Sequence, residues 1–326
     1  MIRVLRPGLL TTVQDLGRPG RQDSGVAVGG AMDAAALRIA NLLVGNDEGA
    51  AAIEATLIGP ALALEDDVLV ALTGADFAAT LDDRPVPPWR PFLARAGSTL
   101  SLGAAVAGAR ACIAVSGGIA VPVVLGGRGT DLRARIGGVD GRALAAGDRL
   151  PVGPPSTRAL SRMARLRAGT GIAAWGAGRG VRPSYGAALR VVAGPERSAF
   201  HAAAVQGLAE AEFEVRPDSD RMGLRLHGPP LRPREPLEMV SSPVTAGTIQ
   251  VPPGGDPLLL AADRQTTGGY PRLANVASVD LPLVGQAVPG ARLRFRWIDH
   301  AAAEAALRER ERDLRRLAVM LTLIDR

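Results

Sequence analysis

Hydrophobic positions along this 326-residue chain recur mostly in short runs that alternate with polar ones. Bounded by Gly, Pro or Asp, such runs predict strands at 1–5, 61–64, 68–73, 99–102 and 111–116. The pattern resumes at 188–193, 212–215, 223–227, 248–251, 258–262 and 292–297. Three stretches break it. At 31–44 (AMDAAALRIANLLV) the apolar residues fall at helical spacing and Gly45-Asn46 follows as a stop signal, which predicts a helix with a core-facing stripe. A short helix is expected at 198–208. At 299–323 the Ala, Glu, Arg and Leu content, the acid–base pairs at helical spacing and Asp299 as N-cap predict a docking or tail helix. The Pro, Ser, Arg and Gly content of 151–183 reads as a linker or a loosely structured crossing.

Two weak internal echoes occur in the same order in both halves. ATLIGPALALED, from Ala55, parallels LRLHGPPLRPRE, from Leu224, and VAGARACIAV parallels VPGARLRFRW. Two related β-rich domains account for them. The expected partition is a first β domain at 1–150, a Pro/Gly/Arg-rich crossing at 151–187, a second β domain at 188–298 and a C-terminal helix at 299–326.

Composition narrows the chemistry. Apolar residues make up 47% of the chain, enough for a sizeable core, while 40 glycines and 25 prolines favour short elements and tight turns. The formal charge of +6 comes entirely from arginine, because the sequence contains no lysine. A Walker A lysine, a pyridoxal Schiff base and a biotinylated lysine are therefore excluded on this chain. The arginines are interleaved with acids and aromatics are only 3%, which argues against a nucleic-acid partner. Cys112 is the single cysteine and reads as a small buried apolar residue. The 3 histidines lack ligand spacing, so no metal site is expected. The start lacks a signal peptide's apolar core and no apolar run reaches membrane-spanning length, so a cytoplasmic protein without membrane association is expected.

Four segments concentrate polar chemistry. In TTVQDLGRPG (11–20), Gln14, Asp15 and Arg18 project from a Gly/Pro loop; the plain alternative is a turn in which Asp15 caps local amides and pairs with Arg18. GVAVGGAMD places glycines ahead of the helix, where an anion or the Asp33 side chain satisfies free amides. In SDRMG (219–223), Arg221 offers a fork to a carboxylate or phosphate, or pairs with Asp218 or Asp220. LAADRQTTGGYP offers Asp263 as base or magnesium ligand, Arg264 as anion clamp, Gln265 with Thr266 or Thr267 as substrate positioners, and Gly268 and Gly269 for close backbone approach. A structural corner with internally satisfied polar groups remains the alternative there. VSGGI (115–119) fails the nucleophile elbow and GAGRG (176–180) fails the dinucleotide fingerprint.

Taken together, TTVQDLGRPG, GVAVGGAMD with ALRIANLLVGN, GPALALEDDVLVALTGADFAATLD, GTDLRARIGGVDGRAL, SDRMGLRLHGPPL and GTIQVPPGGDPLLLAADRQTTGGYP resemble the biotin-dependent carboxyltransferase family, in the type of the 5-oxoprolinase C subunit. That family is also described as KipA-like or allophanate hydrolase subunit 2-like. One departure is VSSPVTAGTIQV, which touches Ser241 and Ser242. The resemblance implies a mainly β fold of two cyclophilin-like β-barrel domains in tandem, with a few short helices and a C-terminal helix. It implies two 5-oxoprolinase partners, the KipI-like B subunit and the A subunit. With them the chain opens 5-oxo-L-proline to L-glutamate, using ATP and Mg2+ held at the level of the complex. It implies catalytic parts for Asp15, Asp263 and Arg264, and substrate contacts from Gln14, Arg221, Gln250, Gln265, Thr266, Thr267, Gly268, Gly269 and Tyr270. The Gln-Asp loop, the Arg-Met-Gly approach and the Thr-Thr-Gly-Gly bend are expected to border one hollow. Two other implied readings are an amide-directed carboxyltransferase served by a separate biotin carrier, and a regulator that binds a KipI-like kinase inhibitor.

Overall fold

A computed structural model describes residues 1–183, 186–237 and 239–325; positions 184, 185 and 326, within the expected crossing and C-terminal segments, and position 238 lie outside the described residues. The chain is mainly β, with several sheets and, among the described residues, five α-helices: α1 Ala34–Val44, α2 Thr157–Arg167, α3 Ala202–Glu210, α4 Leu281–Gly285 and α5 His300–Ile324. It divides into two compact units. One comprises Met1–Arg18 and Gly29–Arg182 with the chain from Arg312 onward; the other comprises Pro19–Val28 and Pro183–Glu311.

The first unit stacks two antiparallel sheets. A five-stranded sheet runs Leu10–Gln14, Ala52–Thr56, Ala107–Val115, Val68–Asp76, Phe92–Ala94. A six-stranded sheet runs Arg149–Leu150, Ile2–Arg6, Ala61–Leu64, Thr99–Ser101, Thr80–Leu81, Arg84–Pro85. Their facing side chains, among them Val4, Leu62, Leu100, Ile53, Val70 and Ile113, make one core. The opposite face of the five-stranded sheet packs under α1, α2 and the later part of α5 through Ile39, Leu43, Met163, Leu314, Leu317 and Leu321. Burial on both faces explains why 68–75 is an almost unbroken apolar run.

The second unit is built on an eight-stranded sheet. Its order is Arg292–Leu293, Phe213–Val215, Gly223–His227, Leu258–Leu260, Thr248–Gln250, Arg272–Val276, Leu189–Ala193, Phe295–Trp297. The two edge strands are consecutive in sequence, separated only by Arg294, so the chain itself links the sheet's edges and the sheet nearly closes on itself. Closure leaves little unpaired edge. The enclosed core includes Leu189, Phe213, Leu226, Ile249, Leu259 and Phe295, with α3 packed on it through Ala204 and Leu208. Ser242–Pro243 and Thr267–Gly268 form a separate two-stranded ladder.

Several elements differ from the sequence expectation. Residues 10–14 form a strand and not the approach to a loop, because Thr11, Thr12, Val13 and Gln14 are all buried. The stretch read as a loose crossing contains α2, capped by the Ser156 hydroxyl, which accepts the Ala159 amide at 3.1 Å. The single run expected at 292–297 is two strands on opposite edges of the sheet. The C-terminal helix starts where expected: Asp299 accepts the Ala302 amide at 2.7 Å. No helix among the described residues is long and apolar enough to cross a membrane.

Candidate functional site

In the first unit Gln14 ends its strand fully buried. Its Nε2 donates to Thr12 Oγ1 and to the Thr130 carbonyl, both at 3.0 Å, while its Oε1 has no donor among the described residues. A Cβ placed on Gly129 would lie 2.9 Å from that oxygen, so only glycine fits there. Asp15 is also buried, and both its oxygens are engaged: Oδ1 accepts the Gly17 amide at 2.8 Å and Oδ2 the Arg128 amide at 2.5 Å. It caps the local Gly17 amide, as the plain reading had it, but its second partner is the distant Arg128 amide and it does not pair with Arg18. Arg18 is buried and donates to the carbonyls of Val124 and Gly129. Thus the Gln-Asp segment and the 121–141 loop lock one another, through residues more than a hundred positions apart.

The neighbouring strands carry a polar row that sequence reading passed over. Register aligns Thr12 with Glu54, Glu54 with Cys112, and Cys112 with Thr73. All four are buried. Glu54 accepts the Met32 amide at 2.8 Å, and Asp33 caps α1 by accepting the Ala36 amide at 2.8 Å, which fills the helix N-terminus with a carboxylate. Burial pushes the Cys112 thiol well above its ordinary pKa, and the Glu54 and Asp33 carboxylates add to the effect. The signal in the sequence was period-2 spacing of Thr12, Gln14 and of Cys112, Ala114 on strands whose two faces are both buried.

In the second unit Arg221 and Asp263 meet as a buried two-pronged pair, Nε to Oδ2 at 2.7 Å and Nη2 to Oδ1 at 3.0 Å. Backbone pairing reinforces the corner, since the Asp263 amide donates to the Arg221 carbonyl at 2.8 Å. The alternative partners are engaged elsewhere: Asp218 with Arg216, and Asp220 with the Met222 amide. Arg264, half-buried, reaches among the described residues the carbonyls of Val244, Ala261 and Ala262 at 3.3–3.5 Å, and burial holds its guanidinium below the ordinary arginine range. Gln265 is half-buried beside it. The Thr266 carbonyl accepts the Val244 amide, and Thr267 and Gly268 pair with Pro243 and Ser242.

Gln250 reproduces the arrangement of Gln14. It is fully buried at the end of a strand, two residues after a buried threonine, Thr248. Its Nε2 donates to the Tyr270 carbonyl at 3.1 Å and its Oε1 has no donor among the described residues. Gly268 closes over it: a Cβ there would fall 2.5 Å from Nε2 and 3.1 Å from Oε1. The repeated T-x-Q pattern was visible in the sequence; the burial of its carboxamide was not. Gly269 and Tyr270 line a cavity of about 540 Å3 together with Arg232, Leu237, Met239 and Pro271. Of the residues expected to border one hollow, Gln14 and Asp15 belong to the first unit, while Arg221, Gln250 and 263–270 belong to the second.

The model of the carboxyltransferase domain, subdomain A and B, matches residues 24–297. The chain belongs to the carboxyltransferase family. It is 38% identical to the 5-oxoprolinase C subunit of Escherichia coli (strain K12) over 320 residues, 98% of each chain. The 5-oxoprolinase C subunit of Haemophilus influenzae is 38% identical over 311 residues, 95% of this chain and 96% of that one. The crystal structure of the K. lactis urea amidolyase superposes on 97% of this chain with TM-score 0.88 and 28% identity, and this chain spans 20% of that enzyme's length. This carboxyltransferase chain is therefore a homologue of the 5-oxoprolinase C subunit over nearly its whole length, with the fold of the corresponding part of urea amidolyase.

Proposed function

We propose that this chain is the C subunit of an ATP-dependent 5-oxoprolinase that opens 5-oxo-L-proline to L-glutamate together with the A and B subunits. The observation that carries the reading is the end-to-end match to the C subunit of the Escherichia coli enzyme, at 38% identity over 98% of both chains. In this reading 1–150 and 188–298 are cyclophilin-like barrel domains, joined by 151–187 and followed by the 299–326 helix.

The chemistry asks for recognition of a planar amide. A lactam is a poor electrophile; phosphorylating its carbonyl oxygen polarises the carbon for attack by water, the ring C–N bond then breaks with a proton going to nitrogen, and a second water displaces phosphate from the resulting acyl phosphate to leave glutamate. Buried carboxamides at Gln14 and Gln250, each with an unpaired acceptor, suit an amide N–H once the covering glycine moves. Arg264, Gln265, Thr266 and Thr267 are the side chains on the bend with capacity to contact substrate, and Gly269 and Tyr270 present the cavity wall. Asp15 and Asp263 act as positioning residues, since two amides hold the first and Arg221 the second. Among the described residues no three His, Cys, Asp or Glu side chains cluster at ligand spacing, so there is no all-protein metal cage, and Mg2+ would have to ride on the ATP phosphates with one or two carboxylates. ATP and Mg2+ are accordingly assigned to the complex.

The likeness to urea amidolyase favours one second reading, transfer of a carboxyl group to an amide nitrogen. With no lysine here, the biotin would ride on a separate carrier. Purified chain mixed with the A and B subunits, ATP, Mg2+ and 5-oxo-L-proline is expected to release glutamate, and to stop when any one component is left out. Tight association with the B subunit but no glutamate would replace the proposal with the regulator reading. Carboxyl transfer from a biotin carrier would replace it with the second.

A further inference from the structure

The segment VPVVLGGRGTDLRARIGGVDG (121–141) carries part of the family resemblance but none of the roles assigned above. It bends around a cavity of about 470 Å3 in the first unit, lined by Val124, Arg135, Ile136, Gly137, Val139 and Asp140 among others. Three of its non-glycine residues, Leu125, Arg135 and Asp140, hold left-handed backbone, with φ of 54, 56 and 53°. Such backbone persists where its surroundings over-determine it, and it clusters at ligand clamps. Here the supports are explicit. The Asp131 carboxylate accepts the amides of Arg133 and Ala134 at 3.0 and 2.9 Å. Arg18 holds the carbonyls of Val124 and Gly129 from behind. A Cβ on Gly141 would lie 2.0 Å from the carbonyl carbon of Arg135, so glycine is required there to bring the two turns together.

Most donors on this loop are spent. The Gly138 amide binds the Arg128 carbonyl and the Gly141 amide the Gly137 carbonyl, both at 2.8 Å. Arg128 donates to the Val121 carbonyl, Arg142 clasps Asp148, and Arg149, also on the lining, pairs with Glu65. What remains on the lining is the exposed Arg135 guanidinium, with no acidic partner among the described residues, and the amides of Gly137 and Asp140, which donate to no acceptor among the described residues; Val139 is bridged to Arg142. Unpaired amides in turn conformation beside a guanidinium make an anion cradle.

We propose that this cavity binds an oxyanion, a carboxylate or a phosphoryl group, held by Arg135 and the amides of Gly137 and Asp140. The Asp140 carboxylate sits on the same lining and opposes the ligand, which tunes the affinity down. The site stands on its own geometry and does not depend on the reaction proposed above. Inorganic phosphate and acetate, titrated separately into 15N-labelled chain, test it through the amide shifts of Gly137 and Asp140. At least one anion should shift both saturably, and which one does so identifies the phosphoryl or the carboxylate source. Arg135→Asn keeps a residue at home in left-handed backbone and should weaken binding at least tenfold. Asp140→Asn, equally tolerant of that backbone, should tighten it about threefold by lifting the repulsion. Absence of saturable shifts with both anions, equal affinity in the Arg135 variant, or weaker binding in the Asp140 variant would overturn the site.

Discussion

At Gln14 and Gln250 the donor end of a buried carboxamide is paired and the acceptor end is not. An orphaned buried acceptor costs about 1–3 kcal/mol, so two at matching positions are retained against a stability cost. Function explains that better than packing. Gln250→Met keeps the length and removes the orphan; it should leave the thermal midpoint within a few degrees while lowering glutamate release by the complex at least tenfold. Unchanged turnover would remove Gln250 from substrate recognition. The covering glycine gives a stability test independent of activity. Gly268→Ala forces a Cβ to 2.5 Å from Gln250 Nε2, whereas Gly254→Ala meets nothing within 4 Å. Urea denaturation should show about 1–3 kcal/mol lost in the first variant and little change in the second. Sequence reading reached Gln14 through its Gly/Pro loop and Gln250 through the family resemblance, and passed over the T-x-Q pattern that the two share. It missed that neither projects into solvent, because a polar residue on a strand buried on both faces looks identical in sequence to one on a solvated strand.

The helix α2 shows why an element escapes notice. Its arginines and the flanking prolines and glycines resemble a linker, yet Arg162 is almost fully buried. Its guanidinium grips Asp325 at 2.6 and 2.8 Å and donates to the carbonyls of Leu42 and Leu43 at the end of α1. One charged side chain thus joins α1, α2 and the last residues after α5, and no local pattern announces a partner 163 positions away. Removing one member of a buried pair strands the other, at about 3–5 kcal/mol. Arg162→Ala should lose that much in urea denaturation, while exposed Arg165→Ala on the same helix stays within about 0.5 kcal/mol. A second pair anchors the strand behind the Thr-Thr-Gly-Gly bend: Glu196 accepts from Arg272 at 2.6 and 2.8 Å. Arg272 holds the Glu196 carboxyl below its ordinary value of 4.5. A carboxyl that ionises more readily folded than unfolded stabilises the protein above its unfolded pKa, and that contribution fades as pH falls through the lowered folded value. Glu196→Gln should therefore flatten the acid limb of stability below pH 4.5 and lower stability at neutral pH. A parallel acid limb in variant and wild type would show that the pair contributes nothing.

Over the whole molecule, the β-rich class was legible because short alternating runs between glycines and prolines have few other solutions, and the internal echo pointed to two related parts. Which polar residues meet was not legible: Arg221 finds Asp263 42 positions away and Asp15 meets the Arg128 amide 113 positions away, distances that no periodicity encodes. The same internal pairing governs how the chain's charge presents itself. A formal +6 and a sequence pI near 10.8 suggest, on paper, a nucleic-acid binder. Yet Arg38, Arg142, Arg162, Arg190, Arg221 and Arg272 are each held against a carboxylate. A guanidinium already neutralised by a neighbouring carboxylate releases no counterion from a phosphate backbone, so those residues add nothing to the salt-dependent attraction that carries such binding. Fluorescence anisotropy with a short duplex at 150 mM salt should give only weak association, with Kd of about 10 µM or above, indifferent to sequence and gone by about 0.3 M salt. Sub-micromolar, sequence-selective binding that persists in salt would mean that unpaired arginines converge on one face, and the small-molecule reading of this chain would have to give way to a nucleic-acid one.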